Sequence, residues 1–232
     1  GIKNIDFDIS VVASFGQILP LEFLQHKPCI NVHPSLLPKY RGASPIQNTI
    51  LNGDEVGGVT IMKVAMEVDA GDIILQKKVQ IKGEYYRELE ERLAIIGGEM
   101  VAEALDQYKQ KTVQFTPQQH EKAVLVQKFT KNDGEINFSC SASEIVNKVR
   151  ALGEELGCYF QIGEEIIKTD RVQDVSKEFE VEQNTILNNK KRFVIGCKGG
   201  AVEILSCKSP SGKNISGRDY LNGHNYVLGK RI

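Results

Sequence analysis

Two apolar patterns alternate along the first half of the sequence. Four short runs are rich in apolar and β-branched residues, which is typical of buried strands: 8–15, 29–32, 59–64 and 73–81. Three further segments have a helical pattern: 21–25, 46–51 and 89–108. In the longest of these, apolar residues recur at 89, 93, 96, 100, 101, 104, 105 and 108, the spacing of an amphipathic helix. Strands that alternate with helices predict an open α/β sheet.

The second half has a different pattern, in which one helix stands among short strands. Ser141 or Ser143 is the expected N-cap of a helix over 141–152, with apolar residues at 142, 145, 146, 149 and 152. The predicted strands are broken by glycine and asparagine, and they cover 158–162, 165–175, 192–197 and 201–206. This spacing predicts a small antiparallel barrel.

Together the patterns predict an α/β fold with an open, mostly parallel Rossmann-like sheet, followed by a small OB-like antiparallel β-barrel. Residues 110–119 are polar and show no periodicity, so they are interpreted as part of a linker. The predicted boundaries are 1–109 for the first domain, 110–121 for the linker and 122–232 for the barrel domain. Strands of an open α/β sheet place ligands at their carboxyl ends, so we expect a site in the first domain.

Composition narrows the class of protein. Hydrophobic residues make up 41% of the chain and charged residues 25%, as in ordinary globular proteins. There is neither a run of about 18 apolar residues nor a basic start followed by an apolar stretch, so we expect no membrane partner and a cytoplasmic location. An organellar location stays open, because the sequence begins inside an α/β unit.

Cysteine and charge patterns add two expectations. The five cysteines are an odd number and form no C-x-x-C pair, which favours a reduced compartment over a disulfide scaffold. The four histidines supply no close ligand pairs for zinc, so we expect no metal. Residues 1–121 carry 12 Lys and Arg against 16 Asp and Glu, whereas residues 122–232 carry 17 against 14. The basic second half permits a polyanionic partner without requiring one.

Three polar residues are candidates for chemistry. Strand alternation places Asn31 and His33 on the same face at the end of a predicted strand, where an amide and an imidazole can hold a developing oxyanion. Asp69 lies in a glycine-containing loop, and a carboxylate near a histidine orients and stabilises the imidazolium. From the residues alone, a satisfied core histidine and a turn shaped by Asp69 and Asp72 with Gly71 remain the stronger alternatives.

The blocks around these residues resemble the folate-dependent formyltransferases. The run NVHPSLLPKYRG at 31–42 is followed by ASPIQ at 43–47, GGVTIM at 57–62 and VDAGD at 68–72. The agreement of separate segments in order and spacing is more specific than any single motif. The SPIQ and VTIM versions are most similar to the members that formylate methionyl-tRNA. In the second half, GEINF at 134–138, SPSGK at 209–213 and DYLNG at 219–223 are similar to the C-terminal domain of those enzymes.

The resemblance implies a site and its ligands. It implies that Asn31, His33 and Asp69 are catalytic, that 10-formyltetrahydrofolate is the co-substrate, and that the enzyme acts as a monomer on methionyl-tRNA without a metal. The implied folate-binding residues are Phe15, Gly16, Gln17, Ile18, Leu19, Ser35, Leu36, Leu37, Pro38, Met66 and Val68. The residues implied to contact tRNA are Arg41, Lys190, Lys191, Arg192 and Lys213.

The sequence departs from the family pattern in two places. It lacks the N-terminal βα units of the family, so we expect an incomplete first domain. Where the family has an Asn-Pro-Trp-Pro-like turn after the second-domain helix, residues 153–158 read GEELGC, and the chain has no tryptophan. Three alternatives remain open: transfer to a sugar-nucleotide amine, hydrolysis of formyltetrahydrofolate, or a catalytically silent RNA-binding module.

Overall fold

The computed structural model describes residues 5–17, 19–187, 191–208 and 212–223. The chain divides into two units. The first holds the described residues up to Thr49 together with Asp54–Lys128, and the second holds Ile50–Gly53 and the described residues from Phe129 onward. Each unit is described by itself below.

A four-stranded sheet forms the centre of the first unit. Its elements in chain order are β1 Ser10–Ala13, α1 Leu21–His26, β2 Cys29–His33, β3 Arg41–Gly42, α2 Pro45–Leu51, β4 Val56–Lys63, β5 Ile73–Gln80, α3 Tyr86–Gln110 and β6 Leu125–Val126. The strand order in the sheet is β1-β2-β4-β5. The long helix α3 buries one face, which is formed by Leu89, Leu93, Gly97, Met100 and Ala104. A Cβ on Gly97 would lie 2.8 Å from Val32 Cγ1, so glycine permits the close approach of α3 to the sheet.

The sheet is mixed, and the prediction of a mostly parallel sheet is wrong for the described residues. Only β1 and β2 pair in parallel, whereas β2 with β4 and β4 with β5 are antiparallel. The alternation of apolar residues assigns side chains to faces of a sheet but does not fix strand direction. Residues 64–72 simply turn the chain back from β4 into β5, which the sequence pattern did not reveal.

The segment predicted as a linker lies within the first unit and makes hydrogen bonds there. Thr116 and Ile73 exchange two main-chain hydrogen bonds of 2.8 and 2.9 Å. Further along, β6 pairs in parallel with β3, with Arg41 opposite Leu125 and Gly42 opposite Val126. The chain after α3 therefore extends along the loops of the first unit before it reaches the second.

The described part of the second unit is built from antiparallel strands and two α-helices. Its elements are α4 Ala142–Leu152, β7 Cys158–Ile162, β8 Glu165–Asp174, β9 Val194–Cys197, β10 Gly200–Lys208, β11 Asn214–Ser216 and α5 Gly217–Gly223. The strand order is β11-β10-β8-β7, with β9 also paired to β10. The Ser141 side chain accepts a hydrogen bond from Glu144 N and so caps α4. Of the two candidate caps, Ser141 is the one observed.

The predicted barrel is not confirmed. Among the described residues, β7 and β11 end the sheet and no strand pairing closes it. A single bridge joins Glu135 to Tyr159 on β7, where Ile136 N donates to Tyr159 O at 2.7 Å. The sequence pattern correctly predicted the antiparallel strands, but closure depends on long-range pairing that periodicity does not encode.

Candidate functional site

The end of β2 places two polar side chains on one face of the sheet. Asn31 is half-buried, whereas His33 is only 4% exposed. His33 Nε2 lies 2.9 Å from Tyr40 O, and because a carbonyl oxygen only accepts, Nε2 must carry the proton of this hydrogen bond. Tyr40 itself has a left-handed backbone with φ of 62°. The loop after β2 thus fixes the orientation of the imidazole.

The turn between β4 and β5 brings a carboxylate to the same place. We refer to residues 66–72 as the Asp69 loop. Asp69 has a φ of 50°, a left-handed conformation that aspartate tolerates better than most residues. Its Oδ2 accepts a hydrogen bond of 2.8 Å from Gly42 N and lies 3.4 Å from His33 Nδ1, while its Oδ1 lies 3.5 Å from Asn31 Nδ2. The three candidate polar side chains therefore converge.

Two glycines make this convergence sterically possible. Gly42 has a φ of 111°, and a Cβ there would lie 2.3 Å from Val126 O. A Cβ on Gly71 would lie 1.8 Å from Lys63 O. A larger residue at either position would clash with these carbonyl oxygens, so the main chain would have to shift.

Burial decides the charge of the histidine. Removal from water lowers the pKa of His33, and this effect is larger than the opposing effects of the Asp69 charge and the Tyr40 hydrogen bond. The imidazole is therefore neutral near pH 7, with its proton on Nε2. Its Nδ1 then presents a lone pair to Asp69 Oδ2. One proton can therefore be held between His33 Nδ1 and Asp69 Oδ2.

A cavity of about 290 Å³ opens beside these residues. Asn31 and Asp69 lie in its wall, whereas His33 is not among the lining residues. Most of the remaining lining comes from β1, the chain that follows it, the end of β4 and the Asp69 loop: Val12, Phe15, Gly16, Gln17, Leu19, Leu24, Gly42, Ala43, Met62, Val64, Ala65, Met66, Glu67 and Val68. The site can hold a largely apolar ligand in contact with the polar side chains of Asn31 and Asp69.

Comparison with known proteins assigns the family. The sequence profile of the family described as Formyl transferase matches residues 1–105, and that of the Formyl transferase C-terminal domain matches residues 128–225. The methionyl-tRNA formyltransferase of Lactobacillus johnsonii is 36% identical to this chain over 237 residues, which span 100% of the chain and 76% of that protein. The chain belongs to the formyl transferase family.

Two further matches describe how this formyl transferase relates to other proteins. The methionyl-tRNA formyltransferase of Sulfurimonas denitrificans is 37% identical, over 96% of this chain and 72% of that protein. The crystal structure of HypX from Aquifex aeolicus in complex with tetrahydrofolic acid superposes with a TM-score of 0.72 at 16% identity. That match covers 95% of this chain but only 39% of HypX, and at this identity it establishes the fold alone.

Most of the folate residues predicted for the formyl transferase line the cavity. Six of them do so: Phe15, Gly16, Gln17, Leu19, Met66 and Val68. Ile18 lies outside the described residues. The turn from Ser35 to Pro38 is not part of the lining.

That turn is occupied by internal contacts of the formyl transferase. Ser35 Oγ donates to Lys39 O at 2.5 Å, and Leu37 N donates to Thr60 Oγ1 at 3.2 Å. Ser35 and Leu37 are both buried, at 1% and 3% exposure. Leu36 packs against Gly58, where an added Cβ would lie 2.4 Å from Leu36 Cδ2. Ser35 and Leu37 are therefore held in internal contacts, and the folate-binding role of residues 35–38 stays a prediction.

Arg41 was predicted to meet tRNA, but its side chain lies inside the first unit. It is 2% exposed, and Gln118 Oε1 accepts hydrogen bonds from its Nε at 3.1 Å and its Nη2 at 2.8 Å. Its Nη2 also lies 3.2 Å from His120 Nδ1, and its Nη1 forms an ion pair with Glu67 Oε1 at 3.5 Å. This guanidinium holds parts of the chain together rather than facing a ligand in solution.

Sequence reasoning missed Gln118. Its Nε2 donates to Asp69 O at 2.8 Å and to Gly71 O at 2.7 Å, so it contacts the Asp69 loop directly. The sequence offered only a weak signal, namely a glutamine after Pro117 in an otherwise exposed polar stretch. No periodic pattern would have indicated that it alone is buried there.

The other predicted tRNA residues belong to the second unit. Lys191 and Lys213 are exposed, and Lys190 lies outside the described residues. Arg192 is bound within the unit, because its Nε donates to Glu203 Oε2 at 2.8 Å and its Nη1 pairs with Glu178. Its guanidinium also lies 4.8 Å from the centre of the Phe179 ring.

The described part of the chain has neither a cluster of metal ligands nor a helix that could span a membrane. No group of three or more His, Cys, Asp or Glu side chains in residues 5–17, 19–187, 191–208 and 212–223 is arranged to hold a metal ion. Within the same ranges, no helix has the length and apolar character needed to cross a membrane.

Proposed function

We propose that this formyl transferase moves a formyl group from 10-formyltetrahydrofolate to the α-amino group of methionyl-tRNA. The observation that carries the proposal is that Asn31 and Asp69 meet in the wall of the cavity, with His33 in contact with Asp69. Relatives that are named methionyl-tRNA formyltransferase, at 36% and 37% identity over nearly the whole chain, support the choice of acceptor.

The cavity is proposed as the site for the pterin part of the folate. Flat heterocycles bind between apolar walls with a few well-placed polar groups. Phe15, Leu19 and Met66 supply such walls, and the main chain of the Asp69 loop supplies polar groups near Asp69. The tetrahydrofolic acid bound to HypX, which shares the fold, supports this assignment.

Asn31 is the proposed donor to the reacting oxygen. When the amine attacks the formyl carbon, negative charge develops on the formyl oxygen, and the new C–N bond forms before the bond to the folate nitrogen breaks. A side-chain amide nitrogen carries two N–H donors, and Asn31 Nδ2 uses one toward Asp69. The second is available to the oxyanion, and one such donor is typically worth about 3 kcal/mol.

Asp69 and His33 are proposed to manage the proton. The attacking amine must lose a proton and the folate nitrogen must gain one, so one proton is moved and none is consumed. Asp69 lies in the cavity wall and can accept this proton, and the lone pair on His33 Nδ1 behind it, 3.4 Å from Oδ2, can share it. The imidazole acts through Asp69, because His33 is buried and both of its nitrogens face protein atoms.

The second unit is proposed to bind the tRNA, with its strands as an OB-like fold. Its match to the C-terminal formyl transferase domain supports this role, as does the excess of 17 basic over 14 acidic residues from 122 to 232. The exposed Lys191 and Lys213 are candidate phosphate contacts. If they contact phosphates, the affinity for tRNA falls as salt concentration rises.

Product analysis tests the proposed function. The purified protein is incubated with 10-formyltetrahydrofolate in three separate reactions. The acceptor is methionyl-tRNA in the first, a sugar-nucleotide amine in the second and water alone in the third. We expect formylmethionyl-tRNA in the first reaction and no more than background product in the others. A formylated sugar nucleotide, or formate released without an acceptor, would replace the proposed acceptor with another one. The absence of any reaction, together with tRNA binding, would favour a silent RNA-binding module.

A further inference from the structure

The side chain of Gln118 connects two parts of the first unit through one amide group. It is 5% exposed, although the residues on both sides of it are exposed. Its Oε1 accepts two hydrogen bonds from Arg41, and its Nε2 donates to two main-chain carbonyls of the Asp69 loop, those of Asp69 and Gly71. The amide oxygen therefore binds Arg41, and the amide nitrogen binds the Asp69 loop.

The chemistry of the partners fixes the orientation of this amide. A guanidinium only donates hydrogen bonds, and main-chain carbonyls only accept them. If the amide were turned over, its NH₂ group would face Arg41 and its oxygen would face Asp69 O and Gly71 O. Four favourable contacts would become repulsive, so the buried Arg41 holds the donor group toward the loop.

The main chain around Gln118 is also held in place. Before it, Thr116 is bonded to Ile73 at the start of β5, and after it, Val124 O accepts a hydrogen bond of 2.8 Å from Arg41 N. The segment is therefore anchored on both sides, and a buried side chain in such a segment loses little further freedom when it binds the loop.

The Asp69 loop depends on such support more than an ordinary turn does. Asp69 has a left-handed backbone, and its carboxylate is 3.4 Å from His33 and 3.5 Å from Asn31. These two separations are near the limit of a direct contact, so a shift of the loop by a fraction of an ångström decides whether they persist. Loss of geometry of about 1 Å at a reacting group reduces rates by about 100-fold.

We propose that Gln118 is a positioning residue, which holds the Asp69 loop so that the carboxylate of Asp69 meets Asn31 and His33. The inference rests on the proposed function, since it assigns a part in formyl transfer to a residue that does not line the cavity. It also means that the chain after α3, which the sequence pattern suggests is a linker, completes the catalytic unit.

Two substitutions distinguish the role of the amide NH₂ group of Gln118 from that of the whole amide. In Gln118→Glu, the carboxylate still pairs with Arg41 but no longer donates to Asp69 O and Gly71 O. In Gln118→Met, a side chain of similar size loses both sets of hydrogen bonds without adding charge. The matched control is Gln119→Glu, the same change at the neighbouring exposed position. For each full-length variant, kcat and both KM values for formyl transfer are measured, together with the thermal midpoint.

We expect kcat to fall by about 100-fold in Gln118→Glu and Gln118→Met, with both KM values nearly unchanged. Gln119→Glu should behave like the wild type. A variant that is folded at the assay temperature and keeps wild-type kcat would overturn the inference, as would a loss confined to KM. If Gln118→Glu is unfolded, Gln118→Met gives the same decision. Failure of the wild type to transfer formyl groups would instead count against the proposed function, so the two failures are distinguishable.

Discussion

The two units bury different kinds of side chain. Among the residues that the structure describes, the buried polar ones of the first unit are His33, Ser35, Arg41, Ser44, Thr49, Thr60 and Gln118, whereas those of the second are Thr169, Thr185 and Glu203. Several of the first set are bonded to the loops that carry the site. The core of the second unit instead contains a series of aromatic rings, in which Phe160, Phe193 and Tyr220 follow one another at centroid distances of 6.2 and 6.1 Å.

This difference has consequences for substitutions. A buried polar group is stable only while its partners are in place, so removing one partner leaves others unsatisfied. Burying apolar surface is less directional and tolerates small displacements. We therefore expect substitutions in the polar network of the first unit to act on catalysis, and those in the aromatic core of the second to act on stability.

The largest effect is expected from Asp69→Asn. Asparagine has the size of aspartate and tolerates a left-handed backbone, so the fold should persist. The substituted side chain can no longer take up the proton of the amine, and kcat should fall by about 1,000-fold. Steady-state formyl transfer at saturating folate measures this, with Asp72→Asn in the same loop as the control. Turnover close to that of the wild type would remove Asp69 from the chemistry.

The second prediction concerns the aromatic core. Phe193 is fully buried between Phe160 and Tyr220, so Phe193→Ala should reduce the free energy of unfolding by about 3 kcal/mol. Urea unfolding followed by circular dichroism measures the loss, and Phe115→Ala, an exposed phenylalanine of the first unit, is the control. The affinity for a folate analogue should be unchanged at low urea. Weakened folate binding in Phe193→Ala would contradict the division between the two regions.

How far the sequence predicts the molecule also differs between regions. The helix α3 and the strands β4, β5 and β7 lie within a few residues of the segments that their apolar patterns predict. Strand direction and sheet closure were not predictable in this way, since both depend on contacts between distant parts of the chain. The short elements β11 and α5 were not predicted from the apolar pattern.

The same limit applies to the site. Asn31 and His33 share a strand face, which alternation predicts directly. Their meeting with Asp69 was expected only through the resemblance to a family, because 36 residues separate His33 from Asp69 in the sequence. The burial of Arg41 and Gln118 was not predictable, since each is polar in a stretch that looks exposed. Their burial is favourable because they bond to each other, and because Arg41 also contacts His120 and Glu67 while Gln118 donates to the Asp69 loop.

Asn31→Ala tests the polar network of the first unit, because it separates an effect on folate binding from an effect on the chemical step. Removing the proposed oxyanion donor should lower kcat by about 100-fold and leave the KM for folate nearly unchanged. Asn48→Ala is the control, because Asn48 lies on α2, donates a hydrogen bond to Ser44 O and does not line the cavity. An increase confined to the folate KM, with kcat preserved, would mean that Asn31 binds the co-substrate without stabilising the transition state.

The smallest effect is expected at the start of α4, where the second unit does depend on a polar contact. Ser141 Oγ accepts a hydrogen bond of 3.3 Å from Glu144 N, and Glu144 Oε2 in turn accepts from Ser141 N at 2.8 Å. Ser141→Ala removes half of this reciprocal cap and should cost about 1 kcal/mol of stability, measured by urea unfolding. Ser143→Ala, within the first turn of the same helix, should change stability much less.

The kcat for formyl transfer should stay at the wild-type value in both the Ser141→Ala and Ser143→Ala variants, because the cap of α4 contributes to the stability of the second unit. A kcat loss in Ser141→Ala comparable to that in Asn31→Ala would mean that the two units do not divide catalysis and stability between them.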